Sequence, residues 1–98
     1  MPSPLADAEI MARLALTAWH RDAETIVRTF DCGSFDGSIQ FVNAVAAAAN
    51  ALDHHPDIDI SWDEVTIRVW SHDAGGITNR DFALAAKIDA LPRGKATT

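Results

Sequence analysis

Residues 58–72 read IDISWDEVTIRVWSH, and apolar and polar residues alternate along this stretch on both sides of Asp63. A period of two is typical of a β-strand with one buried and one exposed face. The short break at Asp63 therefore predicts a β-hairpin. The apolar residues of its second strand, from Val65 to Val69, should face the core. His72 should then emerge at the end of this strand, on the more polar face.

Helical patterns lie on both sides of the hairpin. Before it, the segment SIQFVNAVAAAANALD (38–53) repeats apolar residues at helical spacing. After it, the segment from Thr78 to Asp81 has the form of a capping box, and it opens a helix that ends before Pro92. The stripe predicted to be buried on the first of these helices consists of Ile39, Val42, Val45, Ala46, Ala49 and Leu52.

The N-terminal third adds one helix and one strand. Apolar spacing after Ser3 predicts a helix over residues 4–17, and the alternation in ETIVRTFDC (24–32) predicts a strand. The fold class is thus α+β, an antiparallel β-sheet with helices packed on one face, in the order α-β-α-β-β-α. Residues 1–98 form a single domain. Because the predicted sheet is narrow, a homodimer or homotetramer is expected to complete it.

Composition excludes several classes of protein. Eight Lys and Arg against 14 Asp and Glu give a net charge of −6, which is the wrong sign for neutralising nucleic-acid phosphates. The single cysteine, Cys32, cannot form an internal disulfide, and this fits a reducing compartment. The N-terminal residues 1–16 carry acidic residues where a signal peptide is basic, and no apolar run is long enough to cross a bilayer. We expect a cytoplasmic protein without nucleic-acid or membrane partners.

Two of the four histidines stand side by side in LDHHP, residues 52–56. His54 and His55 follow the predicted end of the long helix, which Pro56 prevents from continuing. His72 ends the second strand of the hairpin. A single histidine of this kind is most simply explained as a structural polar residue. Loops at the ends of rigid elements, however, are common positions for catalytic groups, and the shared location favours a site.

The histidines suggest two kinds of chemistry. A metal site would use His54, His55, His72 and a carboxylate of Asp57, Asp73 or Asp81. No HxH, HxxxH or CxxC spacing supports this alternative, and adjacent residues usually point in different directions. Acid/base catalysis requires less, because two imidazoles on either side of a small substrate can remove a proton and assist the departure of hydroxide. We therefore predict no metal site.

Residues 52–89, LDHHPDIDISWDEVTIRVWSHDAGGITNRDFALAAKID, resemble the signature of the pterin-4a-carbinolamine dehydratases, in its bacterial form. The matching residues are His54, His55 and Pro56 for its His-His-Pro, Trp62 for its aromatic, His72 ten positions later, and Asp81 for its later Asp. Upstream, Trp19, TIVRTFDCGSF and the helix after Phe35 also resemble the family, so the similarity covers almost the whole chain.

The resemblance implies a hydro-lyase that converts 4a-hydroxytetrahydrobiopterin, or another 4a-hydroxytetrahydropterin, to quinonoid dihydropterin and water. The pterin would be its small-molecule partner, and no metal or other cofactor would be needed. By position, the resemblance implies catalytic roles for His54, His55 and His72. We assign proton transfer to His55 and His72, and orientation of the pterin to His54. Pro56, Trp62, Asp73 and Asp81 would contact the substrate.

Two positions depart from the family pattern. Asn50 stands where the family usually has an acidic residue, four positions before the first histidine, and Ile58 stands where many animal members have Trp. Asn50 removes a carboxylate that could orient an imidazole, so two alternatives stay open. One is a non-catalytic interaction protein of the same fold, acting in dimerisation, assembly or coactivation. The other is an enzyme acting on a different pterin.

Overall fold

The sheet and its covering helices are described for residues 3–93 by a computed structural model. Within this range the elements are α1 (Asp7–Leu14), β1 (His20–Asp22), β2 (Thr25–Asp31), α2 (Phe35–Leu52), β3 (Asp57–Ser61), β4 (Glu64–Val69), a 3-10 turn (His72–Ala74) and α3 (Asn79–Asp89). The strands pair antiparallel in the order β1-β2-β4-β3. The predicted α+β class, with helices on an antiparallel sheet, is confirmed.

The hairpin of β3 and β4 supplies the centre of the core. Val65, Ile67 and Val69 are each 0% exposed, as their alternation predicts. In the antiparallel register with β2, Val65 lies opposite Phe30 and Val69 lies opposite Ile26. Opposite residues in such a pair point to the same face of the sheet. One apolar face therefore forms across β2 and β4, and the helices cover it.

The N-terminal third differs from the prediction in two ways. Helix α1 begins at Asp7, after the predicted start. Ala6 has an extended backbone (φ −65°, ψ 148°), and the Leu5 N–H before it donates to the carbonyl of Ile77 (2.8 Å). The structure also contains β1, which the sequence did not indicate. Its three residues are polar and show no alternation, and the turn into β2 uses Ala23 at a φ of 54° instead of glycine.

Helix α2 buries a face different from the predicted stripe. Val45 and Ala49 are buried as predicted, whereas Ile39, Ala46 and Leu52 are exposed. Apolar residues occur on more than one side of α2, and spacing alone does not decide which side packs on a sheet. No helix within residues 3–93 is long and apolar enough to cross a membrane.

Two loops meet at one end of the sheet. The α2–β3 loop, residues 53–56, enters β3, and the β4–α3 loop, residues 70–78, leaves β4. Because β3 and β4 are antiparallel, with Asp57 opposite Arg68, the start of one strand lies beside the end of the other. The fold therefore brings the histidines of residues 52–56 and His72 to the same end.

Candidate active site

The end of α2 separates the two adjacent histidines. Asp53 caps the helix in the left-handed conformation (φ 50°), and its N–H donates to the carbonyls of Ala49 and Asn50. The N–H of His54 also donates to the Ala49 carbonyl (3.0 Å). These bonds complete the C-terminal turn. The chain then turns into β3, so that His54 and His55 leave a fixed backbone toward different partners.

His54 is the more deeply placed of the pair, and it contacts a buried carboxylate. Its Nε2 lies 2.5 Å from Oδ1 of Asp81, with the side chains 10% and 0% exposed. An ionised carboxylate only accepts hydrogen bonds, so Nε2 of His54 carries the proton in this bond. Nδ1 is then the ring nitrogen through which His54 can interact with a bound molecule.

Asp81 is itself held by the start of α3. It is the third residue of the helix in a capping box with Thr78, and its Oδ2 accepts from the Thr78 N–H (2.8 Å). The same Oδ2 accepts from the Ser71 hydroxyl (2.9 Å), and Ser71 Oγ lies 2.8 Å from Thr78 Oγ1. A capping residue of α3 therefore also positions a histidine of the α2–β3 loop.

His55 is exposed and has a neutral partner. Its Nε2 lies 3.0 Å from Oδ1 of Asn50, one turn earlier on α2. The amide oxygen accepts, so Nε2 of His55 donates and Nδ1 remains available for a bound molecule. Asn50 thus keeps the orienting hydrogen bond that a carboxylate at this position would make. It does so without adding a negative charge.

His72 lies in the other loop, between β4 and α3. It opens a 3-10 turn that ends at Gly75, whose φ of 73° is a left-handed conformation that favours glycine. The ring of His72 lies against that of Trp70, with centroids 4.2 Å apart and planes inclined by 44°. Trp70 follows β4 directly. The tryptophan ring therefore supports the exposed imidazole from one side.

A charged pair borders the same loop. Oδ1 of Asp73 lies 2.5 Å from Nη2 of Arg80, in the first turn of α3. The hydrogen bond from Arg80 lowers the pKa of Asp73 below its ordinary value, and it raises the pKa of Arg80. Asp73 therefore contributes a negative charge at neutral pH that Arg80 already neutralises.

These side chains enclose a cleft of about 310 Å³. Its volume lies at the small end of the range for small-molecule sites, about 300–1,000 Å³. The cleft combines one apolar wall with several polar groups, which suits a flat molecule with polar edges. The residues that line it are Asp53, His54, His55, Trp70, His72 and Asp73.

The predicted site residues do not all meet at the cleft. His54, His55, His72 and Asp73 line it, and Asp81 lies behind His54. Trp62 lies instead at the turn between β3 and β4, the opposite end of the hairpin, where it is 72% exposed and its carbonyl accepts from Ser38 Oγ (2.6 Å). The chain therefore does not bring Trp62 to the cleft, because the six residues of β4 separate its turn from the loop that starts at Trp70.

Pro56 has a backbone role at this site. It follows His55 directly, is partly buried and does not line the cleft. Its ring fixes the backbone φ angle at the last residue of the α2–β3 loop, and β3 begins at the next residue, Asp57. Within residues 3–93, no group of three or more His, Cys, Asp and Glu side chains is arranged to hold a metal ion.

Sequence reasoning missed two contributors. Asp53 lines the cleft because it caps α2, and Ser71 supports Asp81 through a contact across ten residues. Neither carries a local signal for this role. Trp70 shares a face of the predicted strand with His72, which places it either near the site or under a partner subunit, and the structure has it lining the cleft.

Comparison with known proteins identifies the family of this chain. A family model described as pterin 4 alpha carbinolamine dehydratase matches residues 3–91. The chain belongs to this family. Among members of the pterin 4 alpha carbinolamine dehydratase family, a protein of Roseiflexus sp. (strain RS-1) is 50% identical over 92 residues, which cover 93% of this chain and 99% of the relative. A protein of Nocardia farcinica (strain IFM 10152) is 46% identical over 90 residues, 91% and 95% of the two chains. Both are provisionally named pterin-4-alpha-carbinolamine dehydratases.

Solved structures of the pterin dehydratase fold are also similar. A transcriptional coactivator/pterin dehydratase from Brucella melitensis superposes with a TM-score of 0.85 at 27% identity, over 90% of this chain and 97% of that one. A pterin dehydratase-like protein, identified as a RuBisCO assembly factor in the alpha-carboxysome, gives a TM-score of 0.65 at 24% identity, over 83% and 94%. This second likeness concerns the fold alone.

Proposed function

We propose that this protein is a 4a-hydroxytetrahydropterin dehydratase that uses histidine general acid/base catalysis. The observation that carries the proposal is the convergence of His54, His55 and His72, from two loops, on one cleft. Family membership supports the substrate class. The fourth histidine of the sequence, His20, lies in β1 and does not line the cleft.

The reaction needs one proton removed and one supplied. The bond between N5 and its hydrogen breaks, the bond between C4a and its hydroxyl oxygen breaks, and a double bond forms between C4a and N5. The hydroxyl leaves as water once it has received a proton. No oxidation state changes overall, so the elimination requires no redox partner. A base and an acid on two sides of the ring are sufficient.

We assign the two proton transfers to His55 and His72. Both are exposed at the cleft and come from different loops, which suits groups that act on opposite sides of a flat ring. His54 lies deeper, and its Nε2 is committed to Asp81, which suits a group that orients the pterin through Nδ1. Trp70 would contribute the apolar contact surface for the ring.

Stopped-flow absorbance of 4a-hydroxytetrahydropterin dehydration tests this proposal. We expect the wild-type protein to accelerate the reaction over buffer. His55→Ala and His72→Ala should each reduce turnover, toward the loss of about 10²- to 10⁴-fold that removal of a general acid or base causes. His20→Ala is the matched control, because His20 is an exposed histidine in β1 outside the cleft, and it should retain the wild-type rate.

Two outcomes would contradict the proposal. A wild-type protein no faster than buffer would exclude the activity. Retention of the full rate in both His55→Ala and His72→Ala would exclude these residues as the acid/base pair. Circular dichroism of each variant separates a chemical loss from unfolding.

A second candidate is a non-catalytic interaction protein, a role that the alpha-carboxysome relative's description states for that protein. The observation that favours it here is an apolar surface far from the cleft. Phe35, Ile39 and Trp62 are 52%, 37% and 72% exposed, and the bond from Ser38 Oγ to the Trp62 carbonyl holds the hairpin turn to the first turns of α2. Exposed apolar residues grouped in this way are typical of interaction surfaces.

Titration calorimetry with a dihydropterin distinguishes the two candidates. Pterin binding that is lost in His54→Ala would support the dehydratase. Absence of any binding, together with a rate no faster than buffer, would favour the interaction protein. The oligomeric state stays a prediction of a homodimer or homotetramer, and sedimentation velocity measures it directly.

A further inference from the structure

Ser71 occupies a fully buried position between two of the histidines. Its side chain is 0% exposed, and its hydroxyl donates to Oδ2 of Asp81 (2.9 Å). Its backbone pairs with Gly76, with the Ser71 N–H donating to the Gly76 carbonyl (3.0 Å) and the Gly76 N–H donating back (3.3 Å). This backbone pairing closes the loop that carries His72. Ser71 therefore contacts both the loop that carries His72 and the carboxylate that binds His54.

The hydroxyl protons around Asp81 have a single consistent arrangement. Thr78 Oγ1 accepts from the Arg80 N–H (3.1 Å), so its own proton is free to be donated to Ser71 Oγ (2.8 Å). The Ser71 proton then goes to Asp81 Oδ2. The chain of donors runs from the first turn of α3 to the carboxylate, and Oδ1 of Asp81 is left for Nε2 of His54.

We infer that Ser71 is a positioning residue for His54. Its hydroxyl fixes the plane of the Asp81 carboxylate, and the carboxylate fixes the His54 ring as the Nε2–H tautomer, with Nδ1 available to the cleft. The effect of Ser71 on the KM for the pterin rests on the proposed function. The effect on the tautomer and orientation of His54 does not.

The side chain and the backbone of Ser71 can be separated experimentally. Ser71→Ala removes the hydroxyl and leaves the backbone pairing with Gly76, so the loop of His72 should be unaffected. Ser71→Thr retains a hydroxyl group on Cβ. Ser38→Ala is the matched control, because Ser38 is also 0% exposed and its hydroxyl donates to the Trp62 carbonyl, outside the cleft.

Nuclear magnetic resonance of ring nitrogens in uniformly ¹⁵N-labelled protein is the primary measurement. In the wild type, neutral His54 should give the pattern of an Nε2–H tautomer. Ser71→Ala should shift this pattern toward a mixture of tautomers while the His72 signals stay unchanged. Ser71→Thr and Ser38→Ala should both keep the wild-type His54 pattern. An Nδ1–H tautomer in the wild type would overturn the inference even if Ser71→Ala failed to fold.

Steady-state kinetics of 4a-hydroxytetrahydropterin dehydration is the second measurement. Ser71→Ala should raise KM by about 3- to 10-fold, the size expected for one lost buried hydrogen bond, with a smaller change in kcat. Ser71→Thr should restore KM, and Ser38→Ala should not change it. Failure of Ser71→Thr to restore both KM and the His54 pattern would overturn the inference. A wild type without activity would reject the proposed function, and the nitrogen spectra alone would then decide the role of Ser71.

Discussion

His54 and His55 are adjacent in the sequence, but they are held in different ways. His54 donates to a fully buried carboxylate on another element, 27 residues later, whereas His55 donates to an exposed amide five residues earlier, in the last turn of α2. The first arrangement depends on the packing of α3 against the α2–β3 loop. The second depends only on the last turn of α2 and the loop that directly follows it. Adjacent residues of one type can therefore have separate tasks, one set by tertiary structure and one set by local structure.

The largest expected effect comes from breaking the buried support. In Asp81→Asn, the amide nitrogen meets either the His54 N–H or the donors from Thr78 and Ser71, so at least one buried donor loses its acceptor. We expect the free energy of unfolding to fall by about 2–4 kcal/mol. The value of kcat/KM should fall by about 10- to 100-fold. Urea denaturation and stopped-flow kinetics measure the two effects.

Asp81→Glu tests whether charge alone is sufficient. Its longer side chain keeps the charge but displaces the carboxylate, so it should not restore the wild-type rate. Wild-type stability and rate in Asp81→Asn would contradict the importance of the buried support.

A smaller effect is expected from the aromatic support of His72. Trp70→Ala removes the ring that lies 4.2 Å from His72, centroid to centroid. Aromatic contacts of this kind contribute about 0.5–1.5 kcal/mol, so kcat/KM should fall by about 3- to 10-fold. Trp62→Ala is the informative comparison, because the resemblance implies a substrate contact for Trp62 and the structure puts it at the far end of the hairpin. An equal loss in Trp62→Ala would contradict the cleft as described.

Loss of the exposed hydrogen bond between His55 and Asn50 should have a smaller effect than loss of the Asp81 carboxylate or of the Trp70 ring. Asn50→Ala removes the 3.0 Å bond to His55, and we expect turnover to fall by about 2- to 5-fold, in line with one exposed hydrogen bond. The free energy of unfolding should change by less than about 0.5 kcal/mol, as for most surface substitutions. Asn50→Asp keeps an oxygen at the same place, so it should retain the wild-type rate. A loss in Asn50→Ala as large as that in Asp81→Asn would remove the contrast between the two histidines.

Local patterns predicted much of the fold and part of the site. Alternation in β4 identified Val65, Ile67 and Val69 as core residues, and the capping box at Thr78 located the start of α3. These features depend on residues close together in the sequence. Strand β1 was missed because three polar residues carry no alternation. The prediction of the buried face of α2 was wrong in part, because Ile39 and Leu52 are apolar and yet exposed.

The site shows the same division between local and long-range structure. The resemblance identified His54, His55 and His72, and the fold brings all three to one cleft. The bond between His54 and Asp81 spans 27 residues, and the bond between Ser71 and Asp81 spans ten. Both depend on how α3 packs. Trp62 was included because of its position in a motif, although the predicted break at Asp63 already puts it beside the hairpin turn, at the end of the hairpin away from the cleft.

The smallest expected effect concerns the charge at the rim of the cleft. The Arg80 guanidinium holds the pKa of Asp73 below its ordinary value. A carboxyl group with a lowered pKa in the folded state stabilises the protein above its unfolded pKa, and this contribution disappears as the pH falls through the lowered value. Arg80→Gln should therefore raise the pKa of Asp73 toward its ordinary value in an NMR titration of the carboxyl carbon. The wild type and the variant should become equally stable at the acid end. Arg68→Gln, which removes the partner of Asp22 (2.8 Å) on β1, should leave the pKa of Asp73 unchanged. If Arg80→Gln lowers turnover as strongly as Trp70→Ala, Asp73 acts on the substrate itself, and the cleft then has a further functional side chain beside its three histidines and Trp70.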